Sequence, residues 1–436
     1  MLALLLALQG VVPPQPGAGA GAQDSLPRVT LTEALERSAR LDPNYVQALG
    51  QVDNAVWGRR NAFLAFILPS INLDASRRTT DPPSFFFTDT LIRVKTSYSA
   101  GFTARYDLFT GGQKFAELTR SAAGLEGARA SELAQRFATA LLTESDFYNV
   151  LASNELDRVA QERLRRAREQ LAIARARVIS GAAVSTDSLN LRLEFTRAQV
   201  GVLQQASALR LARLQLGRRV GSAGPVDAAP LDSTGAPDLP ITLADAVAQA
   251  SQQGPQYRIA AANERAARAS YRSQLGAYLP HLSVSYNRNS IDTRFFPSLF
   301  TQKTLTFAVS FPLWDNGRRE LALSQARVNR DVARVIREDM DRAVLHDVTA
   351  AYDQYVTSRA STALAAEGVV VARESFRVQQ NRYQAGATTI LDLLEAQVNL
   401  SAAEAALVQA QYATRLALAG LESVLGRRLF PDRGTP

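Results

Sequence analysis

Asp392 and Glu395 are the residues of this chain best placed to do chemistry. They stand three positions apart in a stretch of helical periodicity, so a helix there sets both carboxylates on one face. Two neighbouring carboxylates can exchange a proton with a substrate, attract a cation, or stabilise the start of a helix. Acid–base work needs a cleft, and a turn between two long helical patterns offers none. Asp392 also follows Thr389 by three, the spacing of a capping box, so a purely structural use competes with cation attraction. Nothing else supplies a catalytic constellation. The chain has no cysteine, and its two histidines, His281 and His346, lie far apart in sequence. There is no metal-spaced cluster and no phosphate-binding glycine loop. The sequence therefore speaks against an enzyme and calls for no cofactor and no metal.

The carboxylate pair belongs to a turn that occurs twice. Arg382, Gly386 and Asp392 repeat the spacing of Arg177, Gly181 and Asp187. Gly181 and Gly386 read as left-handed or tight-turn positions between helices. Asn190, the counterpart of Glu395 in the first copy, is uncharged, so an acidic pair arises only in the second. Further matches keep the same order along the chain. Leu31-Thr-Glu-Ala34 pairs with Leu243-Ala-Asp-Ala246, and Asp42-Pro43 with Gly254-Pro255. Leu68-Pro69 pairs with Leu279-Pro280, and Leu216-Gly-Arg-Arg219 with Leu425-Gly-Arg-Arg428. An ordered set of this kind means that the chain is built twice.

Each half reads as helix, strand, loop, strand, long helix, turn, long helix. The opening helices are expected over 31–65 and 243–278, each ending before a Leu-Pro. The period then changes to two, predicting strands over about 70–78 and 96–109 in the first half and about 281–289 and 303–313 in the second. Ile71, Leu73 and Ala75 alternate with polar residues, as do Tyr98 through Leu108, Leu282 through Tyr286, and Leu305 through Leu313. One apolar and one polar face over about ten residues suits a membrane β-barrel strand, and equally a half-buried antiparallel sheet. Aromatic stretches at 85–87 and 295–300 are expected in the loops between the strands. Four strands cannot close a membrane barrel, whose minimum is about eight, so a barrel has to be shared; three copies bring twelve.

Long helices are predicted over about 112–178, 187–218, 317–383 and 389–426. The first and third reach roughly 100 Å, far beyond the needs of a globular core. Leu393, Leu400, Leu407 and Leu421 recur at sevenfold spacing with alanines between, interrupted at Thr414. That spacing is a coiled-coil seam. The fold class is thus mixed α/β, mainly long coiled-coil helices plus four antiparallel strands in an internal duplication.

The chain of 436 residues carries a formal charge of +8, which raises the question of nucleic acid. Its arginines, however, are spread along helices with acids beside them. Glu162 lies four before Arg166, the arrangement of a solvated helix face, so no nucleic-acid partner is expected. Residues 1–22 read as a signal peptide, with an apolar run from Leu2 to Leu8 and small residues near Ala20. After it come a first repeat over 23–219, a linker over 220–240, a second repeat over 241–430 and a tail over 431–436.

The duplicated frame, the LxxA openings, the Leu-Pro before each first strand, the Leu-Phe-Thr-Gly-Gly112 and Leu-Trp-Asp-Asn-Gly317 segments and the turn around Gly386 together resemble the TolC-like outer-membrane efflux protein family. The resemblance covers Leu31 to Leu429. It implies a homotrimer whose twelve strands form one barrel in the outer membrane and whose helices form an α-barrel through the periplasm, with 220–240 as an equatorial linker. It implies a passive exit duct of a tripartite efflux or type I secretion system, in contact with outer-membrane lipid. Its partners are a periplasmic adaptor and an inner-membrane transporter of RND, ABC or MFS type. Asp392 and Glu395 take the positions of the family's ring-forming acids at the periplasmic entrance. In such a ring, six crowded carboxylates are expected to have raised pKa values. Asp187 and Tyr383 correspond to residues that hold the entrance shut. Thr388 departs from members that carry an arginine there, which weakens the expected latch. The alternative is a soluble periplasmic coiled-coil adaptor, which accounts for the helices alone.

Overall fold

The computed structural model describes residues 26–430 except 88–90, 182, 232–236 and 297–299. The expected signal peptide over 1–22 and the tail over 431–436 lie outside the described residues.

In chain order the elements are β1 (Arg28–Val29), α1 (Leu31–Leu41), α2 (Pro43–Ile67), β2 (Ser70–Phe87), β3 (Leu91–Phe109), α3 (Gln113–Ile179) and α4 (Ser185–Arg219). Then follow β4 (Asp227–Ala228), α5 (Leu243–Gln253), α6 (Pro255–Gly276), β5 (His281–Asp292), β6 (Phe300–Ser310), α7 (Arg318–Gln384) and α8 (Ile390–Leu425). From α1 to α8 the second half repeats the first. The helices α3 and α7 have 67 residues each, about 100 Å at 1.5 Å per residue.

The expected single opening helix of each half is in fact two. Pro43 and Pro255 sit at the first position of α2 and α6, where a missing N–H costs nothing and the ring sterically ends what precedes it. Asp42 accepts from the amides of Asn44 and Tyr45 at 2.9 and 3.1 Å and so starts α2; Gly254 holds the same place before α6 without a side-chain cap. Thr30 and Thr242 cap α1 and α5 in the same way, each accepting from the amide three residues on. Ala34 and Ala246, the alanines of the LxxA openings, are both fully buried.

The sheet runs β2-β3-β5-β6, antiparallel throughout. Three of its strands, β2, β3 and β5, are longer than the periodicity suggested, while β6 has the expected length but lies three residues earlier and ends at Ser310. Strand β2 reaches Phe87, so residues 85–87 are strand rather than loop, and their side chains lie outside the described residues. A bulge between Asp107 and Phe109 interrupts the alternation of β3, placing Phe109 rather than Leu108 opposite Leu282. Register aligns the two faces across all four strands. Ile71, Ala104, Tyr286 and Leu305 form one row; Asn72, Thr103, Asn287 and Thr304 form the next on the opposite face. One face is therefore apolar and open, with Leu73 84%, Phe307 71% and Val309 72% exposed. The outer strands β2 and β6 each leave one edge unpaired within the protomer.

Along the helices, α2 and α6 pack on the sheet-proximal parts of α3 and α7, while α4 and α8 pack on their distal parts. Near the middle, β1 pairs in parallel with β4, and a core forms from Val29, Ala34, Phe147, Val150, Leu216 and Val226. The repeated Leu-Gly-Arg-Arg motif ends here with a definite task. Arg219 meets Asp146 at 2.8 Å and Asp42 at 3.6 Å; Arg428 meets Glu144 at 2.5 Å and Glu422 at 2.6 Å. Each closing arginine thus bridges two acids at the waist, and Glu144 and Glu422 are fully buried. The coiled-coil seam of α8 buries Leu393, Leu400 and Leu421. Thr414, the break in that row, is buried too, bonded to Thr362 at 2.9 Å and to the Ala410 carbonyl at 2.9 Å.

Candidate functional site at the helix tips

The two turns most distant along the helices from the sheet lie side by side. In each, the helix ends on a residue of helical conformation followed by glycine at φ 76°: Ser180 then Gly181, Ala385 then Gly386. The Gly181 amide donates to the Val178 carbonyl at 3.1 Å, and the Gly386 amide to that of Tyr383 at 3.0 Å. A side chain at such a φ is strained, so glycine allows the chain to reverse within a few residues.

Tyr383 is the centre of the site. It is 4% exposed, in a core with Leu171, Leu191, Phe376, Ile390 and Leu393 that unites α3, α4, α7 and α8. Its hydroxyl donates to Asp187 Oδ2 at 3.2 Å, crossing from the second repeat to the first. Burial, and then the Asp187 charge beside it, push the phenol above its ordinary pKa, so it stays protonated and remains a donor. Arg177 closes the other side: its guanidinium lies 4.8 Å from the Tyr383 ring centroid and donates to the Tyr383 carbonyl. Sequence reasoning singled out Arg177 only as a marker of the repeat. Its mate Arg382 bonds to its own turn, at the Ala387 carbonyl, so spacing alone could not separate the two roles.

Asp392 and Glu395 are both exposed, three residues apart on α8. Asp392 accepts at Oδ2 from the hydroxyls of Thr388 and Thr389 at 2.7 Å each and from the Thr389 amide at 3.1 Å, while its own amide donates back to Thr389 Oγ1 at 3.3 Å. The capping box read from the spacing is complete. These donors, led by the Thr389 hydroxyl, hold the carboxyl below the usual carboxylate range. Within one protomer the push is therefore opposite to the rise that crowding in a ring would cause. Glu395 makes no ion pair or hydrogen bond among the described residues and stands free. Thr388 donates its hydroxyl to Asp392 of its own turn and makes no hydrogen bond to Asp187 or Tyr383 among the described residues. Structure brings Tyr383, Asp187 and Arg177 into one cluster, joins Thr388 to Asp392 in a second, and leaves Glu395 outside both.

Among the described residues no group of three His, Asp or Glu could hold a metal ion. No helix among the described residues is long and apolar enough to cross a membrane. The sheet presents an open apolar face.

Comparison with known proteins fits this architecture. The chain is 24% identical over 290 residues to the outer membrane efflux protein BepC of Brucella suis, covering 66% of this chain and 63% of that protein, under two thirds of its length. It is 28% identical over 361 residues to the pyoverdine export outer membrane protein OpmQ of Pseudomonas aeruginosa, covering 77% and 71%. The structure of the outer membrane protein VceC from Vibrio cholerae superposes with a TM-score of 0.77 at 17% identity, over 92% of this chain and 97% of that one, which shows a shared fold. The sequence profile of the outer membrane efflux proteins matches residues 60–222 and 246–427, one segment for each repeat. With a duplicated frame, a four-stranded sheet and both repeats matched, the chain belongs to the outer membrane efflux protein family.

Proposed function

We propose that this protein is the outer-membrane exit duct of a tripartite efflux or type I secretion system, working as a homotrimer. The observation that carries the reading is the pair of free sheet edges. The family is one of outer membrane proteins, and in this reading the long helices extend into the periplasm. In lipid an unpaired strand edge is not tolerated, because its N–H and C=O groups find no partner. The β2 and β6 edges must therefore meet other copies. Two copies bring eight strands, a barrel filled by its own side chains; three bring twelve and leave a lumen. The polar face with Asn72, Asp74, Thr103, Asn287, Gln302 and Thr304 then lines that lumen. A soluble adaptor has no use for an open apolar sheet face.

In this reading the helix tips form the periplasmic entrance. The Tyr383–Asp187 bond and the Arg177 clamp hold the second-repeat turn against the first, and Asp392 and Glu395 from three protomers line a narrow axis. Such a ring attracts cations. The duct catalyses nothing; a periplasmic adaptor and an inner-membrane transporter of RND, ABC or MFS type supply docking and energy.

Single-channel recording of the detergent-purified protein in a planar bilayer tests this. A small, cation-selective conductance blocked by divalent cations from the periplasmic side, and unblocked in Asp392→Ala/Glu395→Ala, is expected. Protein that stays in solution without detergent and conducts nothing would refute the reading.

A further inference from the structure

The lipid-facing side of the sheet is not apolar throughout. The row that begins with Leu73 on β2 continues through Phe102 on β3 to Arg288 on β5 and Lys303 on β6. Arg288 and Lys303 are directly opposite each other, and both are exposed. Like charges across an antiparallel pair repel, with Cβ atoms about 5 Å apart. Neither has an ion pair or a hydrogen bond among the described residues, and the rows on either side of them carry no acid. One side is Tyr286 with Leu305; the other is Ser290 with Thr301, whose hydroxyls lie 3.0 Å apart. The outer face of β2, which a neighbouring copy brings to β6, carries Ile71, Leu73, Ala75 and Arg77, again without an acid.

Position along the strand says what the pair meets. The apolar face begins near Trp314 and Phe311, exposed at the helix-side end, and rises through Val309, Phe307 and Leu305. From Phe311 to Lys303 is roughly 27 Å of strand. At a tilt of about 45° that is about 20 Å along the membrane normal, close to the full apolar band of about 25 Å. Charged side chains are expensive at the midplane and cheap at the interface. Arg288 and Lys303 thus stand at the outward rim, at headgroup level, on the side of the hairpin ends and away from the helices. An unscreened cation pair next to two hydroxyls, flanked on one side by apolar wall, matches a phosphate that is attached to acyl chains. Arginine can grip two phosphate oxygens with its fork while lysine adds a point charge.

We propose that Arg288 and Lys303 form a binding site for the phosphate of an anionic lipid headgroup in the outer leaflet. This rests on the sheet spanning the outer membrane with its hairpin ends outward.

The test uses the full-length protein in detergent, with binding followed by native mass spectrometry and by thermal unfolding. The probes are a bisphosphorylated lipid A, phosphatidylglycerol, phosphatidylcholine and inorganic phosphate. The phosphorylated anionic lipids are expected to bind the wild type roughly tenfold or more tightly than Arg288→Gln/Lys303→Gln, as loss of charge-assisted bonds requires. Phosphatidylcholine should not discriminate between the two proteins. Lys303→Arg should keep the binding, and if the double variant does not fold, Lys303→Gln alone should lose most of it. Equal binding of anionic lipid by wild type and variant overturns the proposal. Inorganic phosphate that binds as strongly as the lipids overturns the lipid assignment. Fractionation of cells separates the two levels: absence of the wild type from the outer membrane refutes the underlying placement, whereas its presence there with no lipid discrimination refutes only the site.

Discussion

The hydroxyl of Tyr383 donates to the carboxylate of Asp187 at 3.2 Å, a bond between two residues 196 positions apart and in different repeats. Two further features of the tip hold Tyr383 in place. The Tyr383 ring is buried at the meeting of four helices, and Arg177 holds its face and its carbonyl.

Tyr383→Phe keeps the ring and deletes only the bond. A loss of about 1 kcal/mol at the turn is expected. In bilayer recordings it should raise the open fraction several-fold with unchanged overall stability. Asp187→Ala, which removes the acceptor, should behave alike, and the double variant should add little, because the two residues share one interaction.

Raising the pH probes the same bond in the native protein. The phenol has a higher pKa folded than unfolded, so its contribution is complete below about pH 10 and is lost only as pH rises through the higher folded value. Conductance should therefore stay low up to pH 10 and rise above it in the wild type, with no such step in Tyr383→Phe.

Arg177→Ala removes both the cation over the ring and the donor to the Tyr383 carbonyl, so it should open the channel more than Tyr383→Phe does. Arg177→Lys should restore only part of the closure, since an ammonium cannot reproduce the planar stacking. Open probability measured for the three variants orders them.

Asp392 combines a cap with a charge, and two substitutions separate these. Asp392→Asn keeps an acceptor for the two threonine hydroxyls but removes the charge; Asp392→Ala removes both. Cation selectivity should fall in each, while the melting temperature should fall further in Asp392→Ala than in Asp392→Asn. The sign for acid is opposite to that for Tyr383: with its folded pKa lowered, the Asp392 contribution is present above about pH 4 and is lost as pH falls through the lower folded value.

At the waist, Arg428→Ala removes the guanidinium that pairs with the buried carboxylates of Glu144 and Glu422. Breaking a buried pair in this way costs about 3–5 kcal/mol. Thermal unfolding should show a larger drop than for Arg219→Ala, whose partners Asp42 and Asp146 are less completely enclosed.

The duplication, the four strands, the long helices and the turn glycines were all legible along the chain, because each rests on a local period or a local backbone demand. Alternation of Leu305, Phe307 and Val309 is a property of three neighbouring side chains. A glycine at φ 76° answers to its own turn. The capping box of Thr389 and Asp392 spans four residues and was equally visible. What periodicity blurred was where such patterns stop: Pro43 and Pro255 split the opening helices through a clash and a missing donor, and a bulge at Leu108 shifted the face of β3. Only the tertiary structure decided which partners meet. Arg177 and Arg382 occupy equivalent places in the two repeats, yet one crosses to Tyr383 and the other returns to its own turn. Arg288 and Lys303 became a pair only when strand register put them in one row. Long-range pairing is set by packing over the whole bundle and by a one-residue choice of register, and neither leaves a mark in the residues that surround each partner.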